Sequence, residues 1–300
     1  MNGIIVIDKP SDFTSFDVVA VVRRTLREKK LGHSGTLDPM ATGVLPVLIG
    51  RAAKAQSLLP DTDKQYEADF RLGITTDTLD ITGRVLSEMK SSVTKDELLQ
   101  SLGQFRGDIM QVPPMYSAVS KNGVRLYELA RQGIEVEREA RPVHIAELTL
   151  LSFDEAAQSG RLRISCSKGT YIRVICDDIG KALGCGCVMT ALRRTAACGF
   201  TEADAISLDT LQQLAGENRI EEVLRPTDSV FACYPEIRIS EGQSFRFFNG
   251  GALTLERLRS IKAAAPGDIY RVYSPEGTFL GLGEIDGQGC ELGVKKRFCD

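Results

Sequence analysis

The run Gly32-His33-Ser34-Gly35-Thr36-Leu37-Asp38-Pro39-Met40-Ala41-Thr42-Gly43 limits most what this chain can become. With Gly50 it puts four glycines and two prolines into residues 32–50, so no long helix forms there and the backbone turns sharply or approaches a ligand. Val44, Leu45, Val47, Leu48 and Ile49 follow, an apolar run that reads as a buried strand. Asp38 precedes a proline, which pushes its backbone towards extended or turn geometry. An acid held that way is a turn-former or a reacting group, and composition alone favours the turn.

At 300 residues the chain is one large domain or two, with room for a sizeable core. Hydrophobic and charged fractions of 43% and 26% are those of a soluble globular protein. No apolar run reaches the length of a membrane span, and the first one is too short for a signal peptide. A cytoplasmic protein with no membrane contact is expected. Its eight cysteines then read as reduced thiols. Cys185-Gly186-Cys187 lacks metal-ligand spacing, so no metal is expected.

A net charge of −3 argues mildly against a nucleic-acid partner, but the charges are unevenly spread. Residues 161–200 carry seven bases against two acids, and residues 201–229 two bases against seven acids. Such blocks can create a one-sided field despite a near-neutral total.

Gly3 to Asp8 reads as a first buried strand. Thr14 or Ser15 caps a helix bearing Phe16, Val19, Val22 and Leu26 at helical spacing. Residues 52–59 form a short helix, and Tyr66 to Leu72 alternates as a half-buried strand. A polar loop over Gly73–Gly83 leads to a strand at Arg84–Leu86, and Thr94 with Glu97 opens a helix through a capping box. Val124–Gln132 is helical within a basic segment, 120–141, that reads as a flap. Pro142–Phe153 and Arg161–Ser167 are neighbouring strands, Tyr171–Leu183 a helix and Val188–Thr195 a strand. The irregular alternation predicts an α+β fold on a mainly antiparallel mixed sheet flanked by helices. The domain boundary is placed at 230/231. Short strands between turn signals beyond it predict a small β-rich domain over 231–300.

G-H-x-G-T-L-D-P-x-A-x-G resembles the active-site motif of the bacterial tRNA pseudouridine-55 synthases, the TruB family. Lys9-Pro10 and Thr14-Ser15, Tyr66-x-Ala68, Thr76-Asp77-Thr78-x-Asp80, Pro113-Pro114-x-Tyr116-Ser117-Ala118 and Arg141-Pro142-Val143 also resemble its motifs. Ser167-Lys168-Gly169-Thr170-Tyr171-Ile172-Arg173 resembles the strand bearing that family's active-site arginine, and Leu192-Arg193-Arg194 a substrate-contacting strand. The resemblance implies the pseudouridine synthase fold, a PUA-like C-terminal RNA-binding domain, and isomerisation of uridine 55 in the T-arm loop of tRNA. It implies Asp38 as nucleophile, Arg173 in contact with it, and Tyr66 against the uracil face. Tyr171 and Leu192 complete the pocket, and Asp80 orders its loop or meets the uracil edge. His33 fills the gap left by a flipped base, and Lys9, Lys168, Arg193 and Arg194 contact phosphates.

Asp12 stands where the family usually has glycine, and Ser120-Lys121 displaces a lysine by one position. The reaction needs no external energy, and the chain offers no glycine-rich nucleotide loop. No cofactor, and no obligate protein partner, is therefore expected beside the tRNA T-arm stem-loop. Arg173 is expected to hold the Asp38 pKa down. A non-catalytic RNA-binding protein and an acid-based hydrolase are the competing readings.

Overall fold

The structure is a computed structural model describing residues 1–60, 62–121, 123–258, 261 and 264–299. The Ile-Ile-Val-Ile run of β1 (Gly3–Lys9) is closed to solvent and pairs antiparallel with β3 (Thr42–Ile49), from Gly3↔Ile49 to Lys9↔Gly43. Between them lie α1 (Ser15–Leu26) and β2 (Leu31–His33). Thr14 caps α1 by accepting from the Asp17 N–H while Asp17 reaches back to the Thr14 N–H. Residues 50–55 make a 3-10 turn rather than the expected helix at 52–59.

β4 (Lys64–Leu72) buries Tyr66, Ala68, Phe70 and Leu72 on one face, as its alternation requires. β5 (Ile74–Thr76) and β6 (Val85–Glu88) bracket the acidic loop. After α2 (Lys95–Leu102), capped by Thr94 and Glu97, and β7 (Gly107–Gln111) comes the basic segment. There β8 (Ser120–Lys121) and β9 (Val124–Arg125) form a hairpin before α3 (Leu126–Arg131). The expected helix at Val124–Gln132 is thus shortened, because its first two residues pair as strand. Asn122 of the expected flap lies outside the described residues.

β10 (Arg141–Asp154), β11 (Ser159–Cys166), α4 (Ile172–Ala182), β12 (Cys187–Ala197) and β13 (Phe200–Thr201) complete the large sheet. Its strand order is β1-β3-β12-β4-β11-β10-β7, with β2 on β3 and β13 on β12. Every named pairing is antiparallel except β12 against β3, which is parallel at Arg193↔Thr42 and Arg194↔Gly43. Gly43 sits at φ +103°, and a Cβ there would lie 2.2 Å from the Arg194 carbonyl oxygen, so only glycine lets the strands approach.

One core cluster joins Leu37, Tyr66, Phe70, Ile172, Ile175 and Leu192 beneath α4. Another packs α1 and α5 (Leu208–Gly216) on β1 and β3. A second sheet, in order β14-β16-β17-β18-β15, comprises β14 (Glu236–Arg238), β15 (Leu253–Thr254), β16 (Ile269–Tyr273), β17 (Phe279–Ile285) and β18 (Glu291–Arg297). It carries α6 (Glu241–Phe248) over a core of Ile237, Phe247, Val272 and Leu292. Leu282 and Phe298 join Val6 and Val44 in a cluster between the two sheets. The fold is α+β with a large mixed sheet and a C-terminal β-rich domain.

Candidate active site

Asp38 lies between β2 and β3 on a loop fastened from several sides. Ser15 Oγ accepts from the Leu37 N–H at 2.9 Å. The Asp12 N–H donates to Pro39 O at 2.9 Å, and Arg194 Nη2 donates to Gly35 O at 3.2 Å. Lys9 Nζ donates to the carbonyls of Pro10, Phe13 and Pro39 at 2.8, 2.5 and 3.0 Å. Asp12 takes φ +64°, a left-handed conformation in which the family's usual glycine carries no penalty. The loop therefore bends as a glycine would allow, despite the substitution.

Arg173 comes from the first turn of α4, not from a strand, because Gly169 and Thr170 turn the chain before it. Its Nε lies 3.1 Å from Asp38 Oδ2, and Nη2 donates to Asp38 Oδ1 at 3.3 Å. The other donors go to Thr78 O and Tyr116 O, both at 3.1 Å, and Nη1 lies 3.5 Å from Asp80 Oδ2. The arginine side chain is 5% exposed, that of Asp38 36%. The acid therefore keeps an open side while its partner is sealed behind it. Burial pushes the Asp38 carboxyl above the ordinary aspartate range, Arg173 and Lys9 oppose the rise, and Asp80 adds to it. The expected lowering by Arg173 is thus outweighed by desolvation.

Asp80 is buried, and its Oδ1 accepts from Thr78 Oγ1, Thr82 N and Thr82 Oγ1 at 2.9, 3.0 and 2.5 Å. Of the two roles left open for it, loop ordering is the one these bonds fulfil. Tyr66 stands opposite Arg194 in the β4–β12 register, and Leu192 opposite Ala68. Tyr66 and Leu192 are buried in one cluster with Leu37. Burial pushes the Tyr66 phenol up to about 12 against the nearby Arg194 guanidinium. Tyr171 is the N-cap of α4, half-buried, its main chain clasped by Gln111 through bonds of 2.7 and 3.1 Å. Gln111 carried no sequence signal. Tyr116 stands in the Pro113-Pro114-x-Tyr116-Ser117-Ala118 motif, which gave its carbonyl no role. Beside the site, Tyr116 also lines a cleft of about 740 Å³ with Thr76, Asp77, Pro113 and Arg138.

Three of the four expected phosphate contacts are engaged within the protein. Lys9 and Arg194 are each 0% exposed; Lys9 is a strut under Pro39, and Arg194 also donates to Val44 O at 2.7 Å. Arg193 is half-buried and paired with Asp8 and Glu202 at 3.0 and 2.5 Å. Lys168 is exposed. His33 is not an exposed plug either: it is 8% exposed, and its Nδ1 accepts from the Gly35 N–H. Burial and Arg194 lower its pKa, so the ring is neutral at pH 7. Phe16, 73% exposed, meets it edge-on at 5.6 Å between centroids.

The model of the TruB family pseudouridylate synthase (N terminal domain) matches residues 23–172, half of the chain. The chain belongs to the TruB family. Two further TruB models, the tRNA pseudouridylate synthase B C-terminal domain and Pseudouridine synthase II TruB, C-terminal, match residues 173–232 and 235–292. The tRNA pseudouridine synthase B of Pseudomonas paraeruginosa (strain DSM 24068 / PA7) is 44% identical over 292 residues, 96% of this chain and 93% of that protein. That of Clostridium perfringens (strain ATCC 13124) is 45% identical over 293 residues, covering 97% and 98%. Among solved structures, a Cbf5-Nop10-Gar1 complex contains a chain 27% identical with a TM-score of 0.75, covering 99% of this chain and 85% of that one. An archaeal Nop10-Cbf5 complex gives 25% and 0.73, with 99% and 86% coverage. As a TruB protein the chain is a pseudouridine synthase, an isomerase. No helix among the described residues is long and apolar enough to cross a membrane.

Proposed function

We propose that this enzyme isomerises uridine 55 in the T-arm loop of tRNA, with Asp38 as the nucleophile. The observation that carries the reading is the two-point grip of buried Arg173 on a carboxylate that keeps one side open. The names of the relatives support the choice of RNA.

The uridine leaves its stack at a cost of about a few kcal/mol and enters above Tyr66 and Leu192. Asp38 forms a covalent bond to the nucleotide; the N1–C1′ bond breaks and the base turns. C5 then bonds to C1′, the carboxylate is released, C5 gives up a proton and N1 ends protonated. Atoms and charge balance without a cofactor. Arg173 holds Asp38 ionised and aimed throughout. Tyr66 keeps its own proton at neutral pH, since its phenol titrates at about 12, so it acts as the floor of the pocket rather than as the base. Asp80 holds Arg173 from behind. The domain boundary near 230 and an RNA-binding role for the C-terminal sheet belong to the same proposal.

The test is incubation of the purified protein, without added cofactor, with an unmodified tRNA transcript, followed by carbodiimide mapping. Conversion at position 55, lost in Asp38→Asn with tRNA affinity within a few-fold of wild type, is expected. Conversion elsewhere overturns the site assignment, and native turnover by Asp38→Asn overturns the nucleophile.

A further inference from the structure

The bases that crowd residues 161–200 in sequence are largely neutralised in the fold. Arg161 pairs with Asp69 and Arg163 with Glu67 at 2.5 and 2.9 Å, and Lys181 with Asp177 and Asp178 at 2.6 and 3.3 Å. Apart from exposed Lys168, free positive charge lies elsewhere. Arg23, Arg24, Arg27, Lys29 and Lys30 are all exposed on the outer face and end of α1. Among the described residues none of these five side chains has an ion-pair or hydrogen-bond partner. Glu28, the one acid among them, is turned to the N-terminal amine and to the Lys29 and Lys30 main chain.

At 100° per residue, Phe16 and Arg23 fall within about 20° on one helix face, with Arg24 beside them, and Arg27 follows at the left-handed C-cap. The stripe begins at the catalytic loop: Ser15 bonds Leu37, next to Asp38, and Phe16 lies against His33. It runs about 15 Å away from the site, at 1.5 Å per residue. Cations in a last helical turn favour the helix dipole, but that accounts neither for a 73% exposed phenyl ring in the first turn nor for two lysines beyond the helix.

An aromatic platform continued by unpaired cations is the arrangement that binds unstacked nucleic acid: bases stack on the ring and phosphates follow the charge. We infer that the outer face of α1 is a track for the substrate RNA. Arg23, Arg24 and Arg27 take successive phosphates of the strand leading into the site, and Phe16 stacks on an unpaired base neighbouring the one that reacts. The inference rests on the functional reading above and extends it by naming the surface that holds the RNA.

The experiment measures affinity for an unmodified tRNA transcript against salt, together with kcat/KM. The triple variant Arg23→Gln/Arg24→Gln/Arg27→Gln should lower the slope of log K against log salt by about 2–3, whereas ion-paired Arg161→Gln should leave it within error. Phe16→Ala should cut kcat/KM by about 5- to 100-fold, the worth of one stacked base; Phe16→Tyr should restore it and Phe16→Leu should not. An unchanged slope in the triple variant overturns the track, and native kcat/KM in Phe16→Ala overturns the platform. Should the wild-type protein convert no uridine, the functional reading fails, while the salt slope still decides whether α1 carries RNA.

Discussion

Arg173 meets Asp38 through two nitrogens, Nε and Nη2, at 3.1 and 3.3 Å, and it does so from a buried position behind the acid. The pair therefore opposes a desolvation that would otherwise protonate Asp38. The proposed nucleophile must be ionised to attack, so kcat/KM should fall as pH drops through the raised pKa of Asp38. Arg173→Gln removes the opposing charge, so the acid limb should move to higher pH and kcat should fall by about 100-fold or more. Single-turnover rates across pH check this. An acid limb that stays in place would remove Arg173 from the electrostatics of Asp38. The stability sign runs the other way: a raised carboxyl pKa means the folded state binds the extra proton, so this group's contribution is lost as pH rises through the window. Asp38→Asn should abolish that slope.

Lys9 reaches three main-chain carbonyls, one of them on Pro39 beside Asp38. Lys9→Met should destabilise the protein by about 2–4 kcal/mol by leaving those carbonyls unpaired, with loss of activity. Its salt slope for tRNA should stay at the wild-type value, which a phosphate-binding lysine would not allow. Burial lowers the Lys9 pKa from 10.5 to about 8. The folded state thus sheds its proton first, and stability from this group rises between about pH 8 and 10.5. Denaturant midpoints across that range should show the rise in wild type and not in Lys9→Met.

Tyr66 carries a phenol that stays protonated at neutral pH. In its proposed place as the floor of the pocket, it should tolerate Tyr66→Phe with a loss within about ten-fold, whereas Tyr66→Leu, which removes the flat face, should cost about 100-fold or more. Equal, near-complete loss in both would restore the hydroxyl to a chemical role.

Asp12 holds a left-handed backbone that costs a non-glycine residue about 1–2 kcal/mol. Part of that should return in Asp12→Gly, offset by the greater freedom of the unfolded glycine chain. The melting temperature should be unchanged or up by a few degrees. A fall of several degrees would mean that the aspartate side chain stabilises the loop in its own right.

The elements were legible wherever a local rule governs them. The Thr14 and Thr94 caps, the alternation of Tyr66 to Leu72 and the neighbouring strands 142–153 and 161–167 follow from nearest neighbours in the chain. The residues that meet in the fold, Arg173 with Asp38 and Asp80, and Tyr66 with Leu192, also carry motif context. What the chain does not spell out is which charges cancel. Arg193 meets Asp8 from 185 positions away and Arg163 meets Glu67 from 96, so a basic block in one dimension is a set of neutral pairs in three. Lys9 and Arg194 are spent inside the fold on main-chain carbonyls, which no side-chain pattern announces: Pro10, Phe13 and Pro39 for Lys9, Gly35 and Val44 for Arg194. Val124 and Arg125 left their expected helix because a two-residue ladder partner lay just upstream.

The parallel contact of β12 with β3 is only Arg193↔Thr42 and Arg194↔Gly43, yet the loop bearing Asp38 hangs on one side of that seam and the strand bearing Tyr66 on the other. A ribosome that has delivered Asp38 has therefore not delivered an enzyme. The nascent chain must lengthen past residue 194 before the two halves of the sheet can be sewn together, and until then the acid's loop lacks its Arg194 tie and the seam that sets Tyr66 beside it. Competence should thus appear late in synthesis, after the slow long-range pairing, rather than grow in step with chain length.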